Sequence, residues 1–228
     1  MAKTAVKGRG AVQALTGLAA ATPLLVMLAI AGVRGGLLSF ETGYDLLTLK
    51  VAWGLSFVSA AAGVLAVILA LRNFRALGII ALAALVMGVG SLAVFVWQKG
   101  RLAAGPIENV STDLTEIPGF GDMRPDNMGQ GAAVGVQACP GALPVMTQIA
   151  PEGAVWAMQE AGFNLRRAGV SRADGSRDST WFGFGYDIVI RIRPGRTDIR
   201  VAAREARPHG GEACRLVTAV SSKLRGAD

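Results

Sequence analysis

The sequence predicts a membrane protein in which three transmembrane α-helices are followed by a small α+β domain. Residues 51–71 and 76–97 form two runs of 21 and 22 residues without a charged side chain. A third uncharged stretch, 10–33, follows a basic N-terminal segment. Beyond residue 101 the apolar runs give way to short alternating segments of apolar and charged residues, which are typical of a water-soluble domain.

The two long runs predict a pair of antiparallel membrane helices. At about 1.5 Å per residue, each run crosses a hydrocarbon core of roughly 30 Å. A backbone in lipid must satisfy its own polar groups, which favours helices. The short basic turn Arg72-Asn73-Phe74-Arg75 connects them. A buried hairpin of a water-soluble protein is the alternative, but helices of that kind usually carry a polar stripe, and these carry none.

The N-terminal segment predicts a first helix near 11–33. Lys3, Lys7 and Arg9 before an apolar stretch also fit a cleaved signal peptide. The stretch is longer than the hydrophobic region of a signal peptide, about 7–15 residues, and two more spans follow. We therefore expect a retained helix and a membrane anchor over residues 1–101, with helices near 11–33, 51–71 and 76–97.

The distribution of charge predicts orientation and excludes one class of partner. Residues 1–101 hold nine Lys/Arg and two acids, or +7, whereas residues 102–228 hold fourteen of each sign. The basic excess therefore belongs to the anchor and not to a nucleic-acid-binding domain. The positive-inside rule predicts a cytoplasmic N-terminus and a C-terminal domain on the opposite side of the membrane. The expected location is the bacterial inner (cytoplasmic) membrane, with the C-terminal domain in the periplasm. The expected partners are membrane lipids, with no nucleic acid and no cofactor.

Small residues in the second and third spans predict close helix packing. Ser59/Gly63 and Ala84/Gly88 each have the spacing that lets helix backbones approach each other. The spans contain no ionisable side chain, which ion and proton pathways usually require. The helices are therefore interpreted as an anchor or docking surface.

The C-terminal half divides into an acidic, Gly/Pro-rich loop or tether, 102–149, and an α+β module, 150–228. The loop has five acids and one arginine. In the module we expect a helix over 151–161, a terminal helix over 211–224, and strands near 163–170, 177–184, 186–193 and 197–205. Ala173-Asp174-Gly175 and Pro194-Gly195 are interpreted as turns.

Period-two alternation in two strands predicts an antiparallel sheet with two helices on one face. Residues expected on the helix side are Ile188, Ile190, Ile192, Ile199, Val201 and Ala203. Residues expected on the opposite, arginine-rich side are Asp187, Val189, Arg191, Arg193, Asp198, Arg200, Ala202 and Arg204.

Several segments of this half resemble the family known as domain of unknown function 1499. They are PIENVSTD at 106–113, FGFGYDIVIR at 182–191, TDIR at 197–200, and Arg204. The similarity covers roughly residues 106–224, and the chain looks like a bacterial, membrane-anchored variant. One acid, Asp187, stands where the family has two, and Val201, Ala202 and Ala203 replace family serines. The resemblance implies a fold and its extent, since no activity is established for the family.

The arginine-rich side is the candidate ligand site. The residues assigned to it are Arg191, Arg193, Arg200, Arg204, Asp187, Trp181 and Tyr186. Arginine forks suit carboxylate and phosphate groups, so a lipid headgroup, an acidic metabolite or an envelope protein partner could bind there. Two alternatives stay open: a solvated face with cross-strand ion pairs, or the acidic residues 102–149 (−4) lying on the basic module (+4).

A non-catalytic binding or assembly module is the predicted function. The alternative is a hydrolase or other enzyme that acts on an envelope substrate with Asp187, Asp198 and His209. His209 is the chain's only histidine and lies in a Gly/Pro turn, whereas a general base needs a partner within reach. No cysteine and histidine spacing predicts metal ligands, and no serine has the context of a nucleophile elbow.

The two cysteines, Cys139 and Cys214, predict a disulfide bond. They are the only cysteines in the chain, and both fall in the half assigned to the oxidising side of the membrane. Two buried free thiols are the alternative.

Overall fold

The computed structural model describes residues 8–103, 108–124, 131–207 and 210–226. The chain divides into two compact units, Met1–Gly100 and Arg101–Asp228. The first unit is helical, and the second contains a five-stranded antiparallel sheet. The predicted layout of helices followed by an α+β domain is confirmed at this level.

The described residues of the first unit form three α-helices. They are α1 (Arg9–Arg34), α2 (Trp53–Ala70) and α3 (Phe74–Ala103). A π-helical segment, Glu41–Ala52, runs into α2, so most of the stretch 34–50 between the first two predicted helices is also helical. A short 3₁₀ turn at 71–73 continues the helical chain into α3. Among the described residues, two stretches are therefore long and apolar enough to cross a membrane: Arg9–Arg34 and Glu41–Leu102.

Helices α2 and α3 approach each other at the small residues singled out in the sequence. A Cβ atom added to Gly88 would lie 2.2 Å from the carbonyl oxygen of Ser59. One added to Gly63 would lie 2.7 Å from the carbonyl oxygen of Ala84. The two predicted small-residue pairs therefore pack against each other, in antiparallel order, and the predicted close approach is confirmed.

The first unit has small residues inside and large apolar residues outside. The Thr22 and Ser59 hydroxyls, both fully buried, lie 2.8 Å apart between α1 and α2. By contrast, Leu28 is 69% exposed and Ile79 is 87% exposed. This arrangement is typical of membrane helices, which pack through small residues and present large apolar side chains to lipid.

We expect Gly88→Ala to destabilise the α2–α3 packing. The added methyl group would collide with the Ser59 carbonyl, and overpacking of this kind costs about 1–3 kcal/mol. Gly90→Ala is the matched control, because a Cβ atom at Gly90 meets nothing within 4 Å. Unfolding of both variants in mixed detergent micelles, followed by circular dichroism, measures the difference. Equal stability would contradict the packing.

The second unit is built on a sheet with strand order β1-β5-β4-β3-β2. Its strands are β1 (Asn109–Ser111), β2 (Asn164–Ala168), β3 (Arg172–Asp178), β4 (Gly185–Arg193) and β5 (Arg196–Ala203). Its helices are α4 (Pro151–Glu160) and α5 (Glu212–Arg225). Helix α4 packs on β2 and β3, and α5 packs on β5 and β1.

The helices lie on the predicted side of the sheet. Gly175 in β3 is paired with Ile188 in β4, so both residues share one face. A Cβ atom at Gly175 would meet Met158 of α4 at 2.8 Å and the Asn164 carbonyl oxygen at 2.6 Å. The isoleucines of β4 are buried on this side, together with Leu216 of α5.

Two predictions about the strands are wrong. Residues 173–175 lie inside β3 and not in a turn, because Gly175 serves close packing, and Ala173 and Asp174 are buried. The strand predicted at 177–184 is displaced accordingly, and residues 179–184 form a turn region. Strand β1 lies within the stretch predicted to be a loop or tether; it pairs with β5.

Glu108 connects the beginning of the domain to its last helix. Its carboxylate accepts hydrogen bonds from the backbone N–H groups of Gly211, at 2.8 Å, and Ala213, at 3.3 Å. Gly211 precedes α5 and has no side chain with which to cap it. The buried Glu108 carboxylate supplies both a cap and a favourable charge at this helix N-terminus.

The predicted disulfide bond between Cys139 and Cys214 is present. Their Cα atoms are 5.6 Å apart, within the range that a disulfide spans. The bond closes a sequence separation of 75 residues. In the chain-entropy model, a loop of that length stabilises the folded state by roughly 4 kcal/mol.

Candidate functional site

The sheet face opposite the helices carries many charged residues, and a segment of the chain covers it. Residues on this face are Asn109 and Ser111 of β1, Arg172 and Asp174 of β3, Asp187, Val189, Arg191 and Arg193 of β4, and Asp198, Arg200 and Ala202 of β5. Residues 112–124, which we name the covering segment, cross this face. Phe120 and the acidic residues Asp113 and Glu116 of the segment contact the sheet, and Arg200 of the sheet contacts the segment.

Phe120 fixes the middle of the covering segment. Its side chain is fully buried and packs on Val189 and Ala202. The guanidinium carbons of Arg124 and Arg200 each lie 4.4 Å from the centre of its ring. Cation–π contacts of this kind contribute more when water is excluded, as it is here.

Backbone carbonyl groups of the covering segment accept hydrogen bonds from arginines of the sheet. Arg200, which is 4% exposed, donates to the Asn109 side chain at 3.1 Å and to the Pro118 carbonyl at 3.0 Å. Arg172 donates to the Phe120 carbonyl at 2.8 Å. These guanidinium groups act as structural ties, since their donors meet acceptors of the protein itself.

Three arginines and three acids form an ionic cluster at the end of the sheet where β4 turns into β5. The arginines are Arg191, Arg193 and Arg196, and the acids are Asp113, Glu116 and Asp198. Asp198 is fully buried, and its carboxylate lies 2.6 Å from Arg193 and 2.7 Å from Arg196. The opposite charges balance, so the cluster has no formal net charge.

Asp113 holds the covering segment in the ionic cluster. Burial raises the pKa of this carboxyl group, but hydrogen bonds from the backbone N–H groups of Glu116 and Thr115, together with the charge of Arg196, outweigh burial and lower it. The ionised form of Asp113 is therefore the form that stabilises the crossing.

Asp187 binds a different pair of arginines at the other end of the sheet. It accepts a bidentate interaction from Arg204, with the shortest contact at 2.6 Å, and lies 3.3 Å from Arg124. Glu205 is nearby and accepts hydrogen bonds from the Gly185 N–H; burial raises the pKa of this carboxyl group.

The candidate site residues are only partly brought together. Five of the seven, Arg191, Arg193, Arg200, Arg204 and Asp187, share the covered side of the sheet. Tyr186 is paired with Ala203 and Arg177 and lies on the helix side, where it is buried. Trp181 lies off the sheet, in the turn region, and is 64% exposed.

Of the three alternatives for the arginine-rich side, the structure shows the one in which the acidic stretch lies on the basic module. Acidic residues of the stretch 102–149 lie on arginines of the basic module, with Asp113 and Glu116 as the contacts. Cross-strand ion pairs also occur, as between Arg191 and Asp198 at 3.3 Å. An anionic ligand cannot reach Arg200 without displacing the segment.

The three residues of the enzyme alternative do not form a site in the described chain. Asp198 is paired across the strands with Arg191, four positions from Asp187, which separates the two aspartates by about 13 Å. Each aspartate is held by arginines, as described above. His209 lies outside the described residues. No group of three or more His, Cys, Asp or Glu within those residues could hold a metal ion.

A pocket of about 310 Å³ opens beside the ionic cluster. Its lining residues are Pro118, Gly119, Ser171, Arg172, Val189, Arg191, Ile192 and Arg193. The Nε atom of Arg191 is buried and has no acceptor within the described ranges. Asp174 Oδ1, on the same sheet face, is buried and likewise lacks a donor there. The pocket thus combines three arginines with an apolar wall.

Sequence reasoning missed several residues of this face. Phe120, Arg124 and Arg172 were not assigned to it, although each contacts the covered side. Phe120 gave a usable signal, because it is a single aromatic residue in a stretch rich in Gly and Pro. Arg172 could not be placed while 173–175 were interpreted as a turn.

Comparison of the chain with protein-family models, curated proteins and solved structures finds no match. The resemblance to the family of domain of unknown function 1499 therefore stays a prediction.

The lowered pKa of Asp113 predicts how stability depends on pH. Its contribution is present above the unfolded value, near 3.8, and is lost as the pH falls through the lower folded value. Asp113→Asn should therefore reduce the melting temperature at neutral pH, and the difference from wild type should shrink as the pH falls below the unfolded value. Differential scanning fluorimetry of the full chain in detergent measures both curves.

Asp122→Asn is the control for this experiment. Asp122 pairs with Arg167 at 2.5 Å, but both side chains are more than half exposed. Any effect of this substitution should disappear in high salt, because solvent ions screen an exposed pair. A salt-sensitive effect of the same size at Asp113 would contradict the partly buried cluster.

Proposed function

We propose that this chain is a membrane protein with three transmembrane helices. Support for the count comes from the second helical stretch, which is 62 residues long. At about 1.5 Å per residue it would measure roughly 93 Å if straight, three times the thickness of a hydrocarbon core. The 3₁₀ turn at 71–73 and the close contact of Gly63 and Gly88 with the opposite helix favour two spans.

The proposed location is the bacterial inner membrane, with the C-terminal domain in the periplasm. The basic residues Arg72 and Arg75 lie at the turn between α2 and α3, and Arg9 begins α1. The positive-inside rule favours the cytoplasm for the N-terminal end of α1 and for the turn between α2 and α3. The disulfide bond in the C-terminal domain supports an oxidising compartment.

A reporter active only in the periplasm tests the orientation. Fused after Asp228, it should be active, because the third span leads the domain out of the cytoplasm. Inserted at Asn73, it should be inactive. A cytoplasmic reporter at the same two positions is the control and should give the inverse pattern. Activity of the periplasmic reporter at Asn73 would contradict the orientation.

We infer that the C-terminal domain binds an anionic group and does not catalyse a reaction. The observation that carries this proposal is the buried Arg191 Nε, which lacks an acceptor within the described residues and belongs to a pocket lined by two further arginines. An unmet buried donor costs about 1–3 kcal/mol, and more when charged, so a carboxylate or phosphate oxygen would recover that energy.

The pocket suits a small anion with an apolar part. Arg172 and Arg193 offer charge, and Pro118, Val189 and Ile192 offer apolar contact. The proposal favours binding over catalysis because Asp187 and Asp198, the two acids of the enzyme alternative, are about 13 Å apart and are neutralised by arginines. A general acid and base need to reach the same substrate atoms.

Arg193→Gln should weaken phosphate binding by roughly tenfold, the equivalent of about 1.4 kcal/mol. Arg193 is the appropriate position because it is the most exposed arginine of the pocket, 33% in its side chain. Isothermal titration of the full chain in detergent with inorganic phosphate measures the affinity. Sulfate and citrate then compare phosphate with other anions.

Arg166→Gln is the matched control. Arg166 is an exposed arginine of the edge strand β2 and does not line the pocket. Equal phosphate affinity of wild type, Arg193→Gln and Arg166→Gln would contradict the site. Non-reducing electrophoresis checks that each variant retains its disulfide bond and hence its fold.

A further inference from the structure

Both terminal nitrogens of Arg193 already contact acids of the protein. Its Nη2 atom lies 3.0 Å from the Asp113 carboxylate and 2.6 Å from the Asp198 carboxylate, and its Nη1 atom donates to the Glu116 carboxylate. An oxyanion that binds in a bidentate manner needs two neighbouring N–H donors, at least one of them on a terminal nitrogen. Such an anion therefore competes with one of these acids for Arg193.

Asp198 and Asp113 are held by further partners and are costly to displace. The Asp198 side chain is fully buried and also accepts a hydrogen bond from Arg196 at 2.7 Å. The Asp113 side chain is 8% exposed, and its Oδ1 atom accepts hydrogen bonds from the Thr115 N–H at 3.0 Å and the Glu116 N–H at 3.1 Å. Release of either carboxylate would leave a buried charge unpaired, which strongly destabilises a folded protein.

Glu116 is the acid that an anion can replace. Its side chain is 67% exposed, and among the described residues its carboxylate contacts only Arg191 and Arg193. Water can solvate this carboxylate as soon as it leaves the arginines, so its release strands no buried charge. Ion pairs with an exposed partner are also weak, because solvent screens them and the side chain loses freedom when it pairs.

The arginines held by Glu116 belong to the pocket beside the ionic cluster. Arg191 and Arg193 both line the pocket, and the covering segment contributes Pro118 and Gly119, two and three positions after Glu116. The Nη2 atom of Arg191 also donates to the Glu116 carbonyl at 2.6 Å, while its buried Nε atom lacks an acceptor within the described ranges. One side chain of the covering segment thus pairs with the same guanidinium groups that an anion in the pocket would use.

We propose that Glu116 is an internal competitor for the anion site. Its carboxylate bridges Arg191 and Arg193 until a carboxylate or phosphate group from outside displaces it into solvent. This inference rests on the proposed anion-binding function. Because the competing pair has to open first, the apparent dissociation constant of the anion is raised by the fraction of molecules in which Glu116 occupies the arginines. The covering segment therefore sets the affinity of the site that it borders.

Glu116→Gln should tighten the binding of inorganic phosphate about threefold, because a neutral amide competes poorly for two guanidinium groups. Isothermal titration of the full chain in detergent measures the affinity. Glu160→Gln is the matched control: Glu160 is also a half-exposed glutamate in an ion pair, with Lys223 at 3.3 Å, and it does not line the pocket. This variant removes the same charge and should bind phosphate as the wild type does.

A double-mutant cycle separates competition at the arginines from a general effect of charge. In the Arg193→Gln background the competitor has lost one of its two partners, so Glu116→Gln should tighten phosphate binding less than it does in the wild type. A repulsion that acts at a distance would give the same gain in both backgrounds, and that result overturns the inference. Non-reducing electrophoresis confirms that each variant retains its disulfide bond.

Failure of the competition is distinguished from failure of the proposed function. If neither the wild type nor Glu116→Gln binds phosphate, the anion site is wrong, and the competition is overturned with it. If Arg193→Gln weakens phosphate binding while Glu116→Gln leaves it unchanged, the site stands and only the competition is overturned.

Discussion

The contact of the Phe120 ring with two guanidinium groups is the interaction on which the C-terminal domain depends. It buries the ring on Val189 and Ala202 and so brings the covering segment down onto the sheet. Once there, the segment supplies carbonyl oxygens to Arg172 and Arg200 and carboxylates to the ionic cluster. A polar sheet face thereby becomes a second, largely polar interior, whose arginines need acceptors because a buried charge is expensive without them.

This arrangement changes how the arginine content of the sequence should be interpreted. The alternation of β4 correctly places Arg191 and Arg193 opposite the isoleucines, because period two is a local property of a strand. Residues far away in sequence determine whether such a sheet face is exposed to solvent, binds a ligand or is covered by another segment of the protein. Asp113 and Arg193 are 80 positions apart, and no local pattern connects them. The better indicator of a ligand site is a buried donor, such as the Arg191 Nε, that has no acceptor among the described residues after the ion pairs have formed, and only the three-dimensional structure reveals it.

In the rest of the fold, too, features that depend on local sequence could be predicted, and features that depend on distant residues could not. Apolar runs, the pair of cysteines and the spacing of Gly63 and Gly88 could be interpreted from the sequence, since each follows from one dominant physical requirement. Strand β3 could not, because Ala-Asp-Gly is a strong local turn signal that tertiary packing overrides. Strand β1 is only three residues long, and its pairing with β5 depends on a partner about 90 positions later.

The pairing of β1 with β5, together with the cap by Glu108 and the disulfide bond, imposes an order on biogenesis. All three join residues made early in the domain to residues made near its end. At typical rates of synthesis, the roughly 100 residues between β1 and Cys214 take on the order of ten seconds to emerge. From its own synthesis until Cys214 emerges, 75 positions later, Cys139 is an unpaired thiol on an incomplete sheet. With only two cysteines in the chain, its sole wrong partner is a thiol on another molecule.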